Sequence, residues 1–171
     1  MRPQVSQQAL TIRGNGTLRQ LQSDVLVSEP FIGQASPSGV APASGKFRGI
    51  WDTGATGSVI TPRVVQQLNL KATGQTQVHT AKGAAVTNTY LVNLLLPSNV
   101  GVQNLTVTEG DLPPGDDVLI GMDIITLGDF VITNQQGITV MTFRTPSLAQ
   151  IDYVQGIKEK NRQKMRNGKR H

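Results

Sequence analysis

The sequence predicts a mainly β fold, and three observations predict it. Glycine and proline are plentiful, 18 and 9 of 171 residues, and they break the chain at short intervals. Val, Thr and Gln are frequent between those breaks, and Val and Thr suit a pleated, half-buried surface. In the clearest segment Val86, Asn88, Tyr90, Val92, Leu94 and Leu96 recur with a period of two. Hydrophobic residues make up 37%, enough for one compact core, while charged residues stop at 16%. The length fits one domain with appended termini.

Taken in order, the first seventeen residues are polar and weakly periodic, and form either a loose arm or an edge strand. A domain is expected over 21–145, flanked by an arm at 1–20 and a C-terminal segment at 146–171. Asp24 to Val27 predicts a strand that ends near Pro30, before a loop of small residues and turn formers over 34–45. Lys46 to Trp51 is a second strand, running straight into Asp52. Thr61 is placed to cap a helix and Pro62 to occupy its first position, with Val64, Val65 and Leu68 as its apolar stripe. Gln75 to Thr80 and Ala85 to Leu96 predict two strands joined by a tight turn at Ala81-Lys82-Gly83-Ala84. Val100 to Thr108 is another. Asp116 and Asp117 are expected as solvated turn residues before the apolar run Val118-Leu119-Ile120. Met122 to Leu127 predicts a short helix closed by Gly128. Phe130 to Thr133 and Ile138 to Phe143 bracket Asn134-Gln135-Gln136-Gly137, a hairpin signal. Leu148, Ile151, Val154 and Ile157 then recur at helical spacing.

Composition excludes several chemistries. With no cysteine there is no disulfide, no thiolate metal site and no thiol nucleophile. His79 and His171 are the two histidines, too few for a histidine metal site and poorly suited to a Ser–His–Asp triad. No metal and no cofactor is therefore expected. The N-terminus lacks the apolar stretch of a signal peptide, and no run of about 18 apolar residues occurs. These features point to a cytoplasmic protein with no membrane partner. The net charge of +5 is concentrated at one end. Residues 157–171 hold seven of the sixteen Lys and Arg and one acid, Glu159; nine basic and ten acidic residues remain elsewhere, a net −1. That tail admits three readings: a solvated terminus, a phosphate-binding attachment to nucleic acid, or a processing product or contact for an acidic partner. No aromatic residue follows Tyr153, which weakens a nucleic-acid role.

The chemistry centres on Trp51-Asp52-Thr53-Gly54-Ala55-Thr56-Gly57-Ser58-Val59-Ile60. An acid ends an apolar strand, and a small hydroxyl residue and a glycine follow, so the carboxylate is presented on a turn beside backbone amides. An Asp-Thr-Gly alone arises by chance in about a few per cent of chains this long. Its context adds the specificity: Val118-Leu119-Ile120-Gly121-Met122-Asp123-Ile124-Ile125 lies downstream, with a Gly-containing hairpin between. With both motifs in this order, the chain resembles the retroviral-type aspartic proteases, or retropepsins, over about residues 20–145. The resemblance implies a closed retropepsin-type β-barrel with one or two short helices. It implies Asp52 as the catalytic acid, Thr53 as a brace between paired active-site loops, and Gly54 as the point where substrate backbone approaches. Ala55 and the hairpin tip Ala81, Lys82, Gly83 and Ala84 would touch the peptide substrate. Leu119, Ile120 and Gly121 would pack under the active-site loop.

Such chemistry needs two adjacent carboxylates that share one proton. The chain carries a single Asp-Thr-Gly, so the expected enzyme is a homodimeric endopeptidase in which each copy supplies one acid. Other readings stand beside it. Asp52, Gly54 and Thr56 also fit the phosphate loop of sugar kinases and actin-like ATPases, but this chain is too short for their two lobes. A non-catalytic dimerisation or peptide-binding module would keep the fold without needing the acid. A nucleic-acid-associated factor would act through the tail. Asp123 is expected as an early helix acid, His79 as a polar strand position and Trp51 as a packing residue.

Overall fold

A computed structural model describes residues 6–30, 42–80 and 83–168. Among the described residues, ten strands and three α-helices follow one another, beginning with β1 (Gln8–Arg13), β2 (Gln22–Ser28), β3 (Ser44–Trp51) and β4 (Val59–Ile60). Helix α1 (Pro62–Leu68) leads to β5 (Gly74–Thr80), β6 (Gly83–Leu96) and β7 (Val100–Glu109). Then come β8 (Val118–Ile120), α2 (Met122–Ile125), β9 (Asp129–Thr133), β10 (Val140–Thr145) and α3 (Tyr153–Gly168).

A seven-stranded sheet of order β2-β3-β8-β4-β7-β6-β5 closes on itself because β2 also pairs with β6. Six of its strands thus form a barrel, and closure leaves those strands no open edge. Strand β5 stays outside the ring and pairs with the outer half of β6, from Gly74↔Thr89 to Thr80↔Gly83. This long hairpin leaves the barrel, so the period-two pattern of β6 changes meaning along its length. Tyr90, Val92, Leu94 and Leu96 are buried where β6 belongs to the ring, while Val86 is 69% exposed on the projecting part. The turn expected at 81–84 lies outside the described residues at Ala81 and Lys82, as does most of the loop at 34–45.

The second sheet, of order β1-β10-β9, packs against the barrel. Strand β1, within the polar N-terminal stretch, lies at the edge of this sheet and pairs along β10 from Gln8↔Thr145 to Arg13↔Val140. Leu10, Met141 and Phe143 from this sheet are buried in the same core as Val25, Val27, Phe47 and Ile120 of the barrel. Trp51 joins the two, stacked on Phe130 at 5.6 Å and tilted against Phe143 at 5.5 Å, with its indole N–H donated to Ser23 Oγ at 3.1 Å. Truncating an aromatic at such a junction costs about 3–5 kcal/mol.

Four residues depart from their expected roles. Thr61 stands at the N-cap of α1, but its hydroxyl makes no capping bond and is buried without a partner among the described residues. The other end of this helix is closed by Asn69 in the left-handed conformation. Helix α2 stops at Ile125 with Thr126 as its right-handed cap, so Gly128 does not close it. Gly128 is needed for another reason, since a Cβ there would lie 1.9 Å from the Arg144 carbonyl oxygen. Asp116 and Asp117 are buried and not solvated. Gln22 donates to Asp116 at 2.7 Å, and Arg63 pairs with Asp117 at 3.2 Å, so both acids brace the strand that follows.

Candidate active site

Strand β8 has only three residues, and it is inserted between two neighbours that belong to the same loop. It runs parallel to β3, with Trp51 beside Ile120, and antiparallel to β4, with Val59 beside Leu119. The segment 52–58 must therefore span from one side of β8 to the other. Asp52 begins that crossing, its amide donating to the Ile120 carbonyl at 3.0 Å. Its side chain is half-buried, and Oδ1 accepts the Gly54 amide at 2.8 Å. Thr53 and Gly54 are exposed at the turn. The acid thus stands at a surface with its orientation set by a backbone donor.

The far side of the loop is fixed more heavily. Met122 and Asp123 donate their amides to the carbonyls of Ala55 and Thr56 at 2.8 and 3.2 Å. Gly121 lies so close beneath that a Cβ would sit 2.6 Å from the Gly57 carbonyl oxygen, which accounts for a glycine after Leu119-Ile120. Ser58 is 1% exposed, and its hydroxyl accepts the Gly121 amide at 3.1 Å while donating to Asp123 Oδ1 at 2.7 Å. The Ser58 amide donates to the other oxygen of Asp123 at 2.9 Å. Asp123 is thus the clamp between the two motifs, a role that its expectation as a helix acid overlooks. Neither residue has a periodic signature. The available clue is a carboxylate two places after the glycine, which needs partners if it faces the protein.

Beside the loop lies an open cleft of about 570 Å³. Ala55, Val59 and Leu119 line it, together with Gln77 and Val78 of β5 and the acids Glu109 and Asp111. Of the residues expected to meet substrate, Ala55 borders this cleft, whereas Gly83 and Ala84 stand at the far end of the β5–β6 hairpin. Gly83 has φ of +116°, which a side chain would oppose. Ala81 and Lys82 lie outside the described residues. Glu109 is held from within the barrel wall. Tyr90 donates its hydroxyl to Glu109 Oε2 at 2.8 Å, and Asn88 donates to the same oxygen at 3.3 Å. Burial and then this bond to Glu109 push the Tyr90 phenol up, so it stays a neutral donor. Glu109 and Asp111 carry no sequence pattern beyond following a strand into a Gly- and Pro-containing stretch.

Among the described residues no group of His, Cys, Asp and Glu is placed to hold a metal ion. No described helix is long and apolar enough to cross a membrane.

Residues 43–124, just under half of the chain, match the family model described as aspartyl protease. No curated protein sequence matches the chain. Among solved structures, it is similar to a retropepsin-like aspartic protease from Rickettsia conorii, at 14% identity and a TM-score of 0.47. That similarity covers 83% of this chain and 98% of the other. It is also similar to part of the foamy viral protease-reverse transcriptase in complex with an RNA/DNA hybrid, at 21% identity and a TM-score of 0.41. There the coverage is 62% of this chain and 11% of the other.

Proposed function

We propose, from the premise that residues 43–124 match the aspartyl proteases, that two copies associate and hydrolyse peptide bonds through one Asp52 from each. The observation that carries this reading is the anchoring of Asp52. A lone acid is fixed on a turn by Ile120 and Gly54, at the mouth of a loop clamped by Gly121 and Asp123. Preorganisation of that kind suits a group whose geometry must not relax during reaction. The sequence holds no second Asp-Thr-Gly, so the partner acid comes from a second copy related by a twofold axis.

Two carboxylates at such an axis keep one proton between them. The ionised member accepts a proton from a water held between the pair, and that water attacks the scissile carbonyl. The protonated member donates to the carbonyl oxygen as charge develops there. A tetrahedral intermediate forms and collapses, with no bond between enzyme and substrate. Thr53, exposed beside the acid, braces its counterpart across the axis, and Gly54 admits the substrate backbone. Gly83 and Ala84, at the far end of the β5–β6 hairpin, cover the peptide. A chain without cysteines suits the reducing cytoplasm.

The test is digestion of a peptide library by the whole chain, with and without a transition-state-mimicking inhibitor of aspartic proteases, beside sedimentation of the same sample. The expected result is inhibitor-sensitive cleavage by a dimer. The Asp52→Asn protein should still dimerise and cleave nothing; residual cleavage would overturn the assignment.

A further inference from the structure

The cleft beside the Asp52 loop is chemically divided. Its lining combines the apolar Val59, Val78 and Leu119 with the two acids Glu109 and Asp111. Among the described residues that line it there is no Lys, Arg or His. Neither acid belongs to one of the ion pairs formed among the described residues, which join Lys46 to Asp24, Arg63 to Asp117 and Arg144 to Asp129.

Glu109 is also not a freely swinging surface acid. Its Oε2 is fixed by Tyr90 and Asn88, and its carbonyl oxygen accepts the Thr87 hydroxyl at 2.7 Å. Both side-chain donors are neutral, so they orient the carboxylate without cancelling its charge. A hydrophobic ligand side chain would satisfy the apolar residues and leave the two acids without a counterion. A side chain with an aliphatic stem and a cationic tip satisfies both, since Lys and Arg bury their methylenes along apolar surface while the charge stays at the polar rim.

We infer that this cleft is a specificity subsite for a lysine or arginine side chain of the substrate, with Glu109 and Asp111 as its specificity-determining residues. The inference rests on the protease reading and narrows its substrate class to peptides with a basic residue near the scissile bond. Acidic side chains are disfavoured at the same position by like-charge repulsion.

The experiment compares paired peptides that differ at one position only, lysine against its uncharged isostere norleucine, scanned along a sequence the whole chain cleaves. The readout is the ratio of kcat/KM within each pair, which is insensitive to changes in overall activity. The expected ratio is about tenfold in favour of lysine at one position, from a charge-assisted contact at a partly exposed site. In the Glu109→Gln/Asp111→Asn protein that ratio should fall to near unity, while the amide oxygen introduced by the first substitution still accepts from Tyr90. In parallel, binding of the same peptides to the Asp52→Asn protein is titrated directly. A lysine preference in binding without cleavage by the parent chain would uphold the subsite and overturn the protease reading. A ratio near unity at every position, a preference that survives the double substitution, or no peptide binding at all would overturn the subsite.

Discussion

Asp123 and Ser58 illustrate how much the loop after Asp52 depends on side chains away from its exposed turn. Removing the Asp123 carboxylate leaves the Ser58 amide and hydroxyl without their acceptor in a buried place. An Asp123→Ala protein should lose about 2–3 kcal/mol of stability, read as a lower urea midpoint at unchanged slope. It should also lose turnover beyond what its folded fraction explains, because Ser58 then lacks two of the bonds that fix the far end of the loop between Asp52 and Val59. A variant as stable as the parent would sink the clamp. At this scale the sequence was legible where backbone geometry imposes a residue type. Asp52-Thr53-Gly54 and Gly121 stand out because a turn and a close approach require them. Ser58, Glu109 and Asp123 did not, because their roles lie in partners distant along the chain. The same blindness explains Asp116 and Asp117, which look like solvent-facing turn acids until Gln22 and Arg63 arrive beside them.

At the level of elements, the segment after β10 is held by one carboxylate. Asp129 accepts the Ser147 hydroxyl at 2.6 Å and the amides of Leu148 and Ala149 at 3.0 and 3.2 Å, and it pairs with Arg144. Ser147, then the Leu148 amide, then Arg144 hold its carboxyl far below the ordinary value of 3.8. A carboxylate depressed in the folded state contributes stability that is complete above its unfolded value and disappears as pH falls through the folded one. Hydrogen exchange at Leu148 and Ala149 should therefore be slower in the parent than in Asp129→Asn at about pH 6. The difference should shrink below about pH 4 and vanish near the acid limit. A gap that is constant with pH would show that charge plays no part. The strands themselves were readable from period-two patterning and turn residues, and their ends agree within a few positions for β2, β3, β5 and β6. The helix signals were less faithful: Thr61 promised a cap that it does not make, and α2 stops short of Gly128. Helix α3 forms where helical spacing was seen, although it begins at Tyr153, after Leu148 and Ile151.

For the molecule as a whole, the closure of the barrel follows from pairings that no local pattern contains. Strand β2 reaching β6 at Val27↔Leu94 closes the ring across more than sixty residues. The proposed pairing of two copies carries its own quantitative test. If each active site needs Asp52 from both chains, mixing equal amounts of parent and Asp52→Asn protein and allowing full exchange leaves about a quarter of dimers with two acids. Activity should then be about half that of the same amount of parent alone, and should fall further with excess variant. Activity untouched by any excess of variant would mean that single chains act alone. The three-residue strand β8 has a last consequence, one of timing. Asp52 and its loop leave the ribosome well before residues 118–120, yet they have nothing to wrap around until that short strand slides between β3 and β4. A half-made chain therefore holds its acid on an unstructured tether. Asp52 reaches its final setting only once Ile120 has been synthesised and has left the exit tunnel.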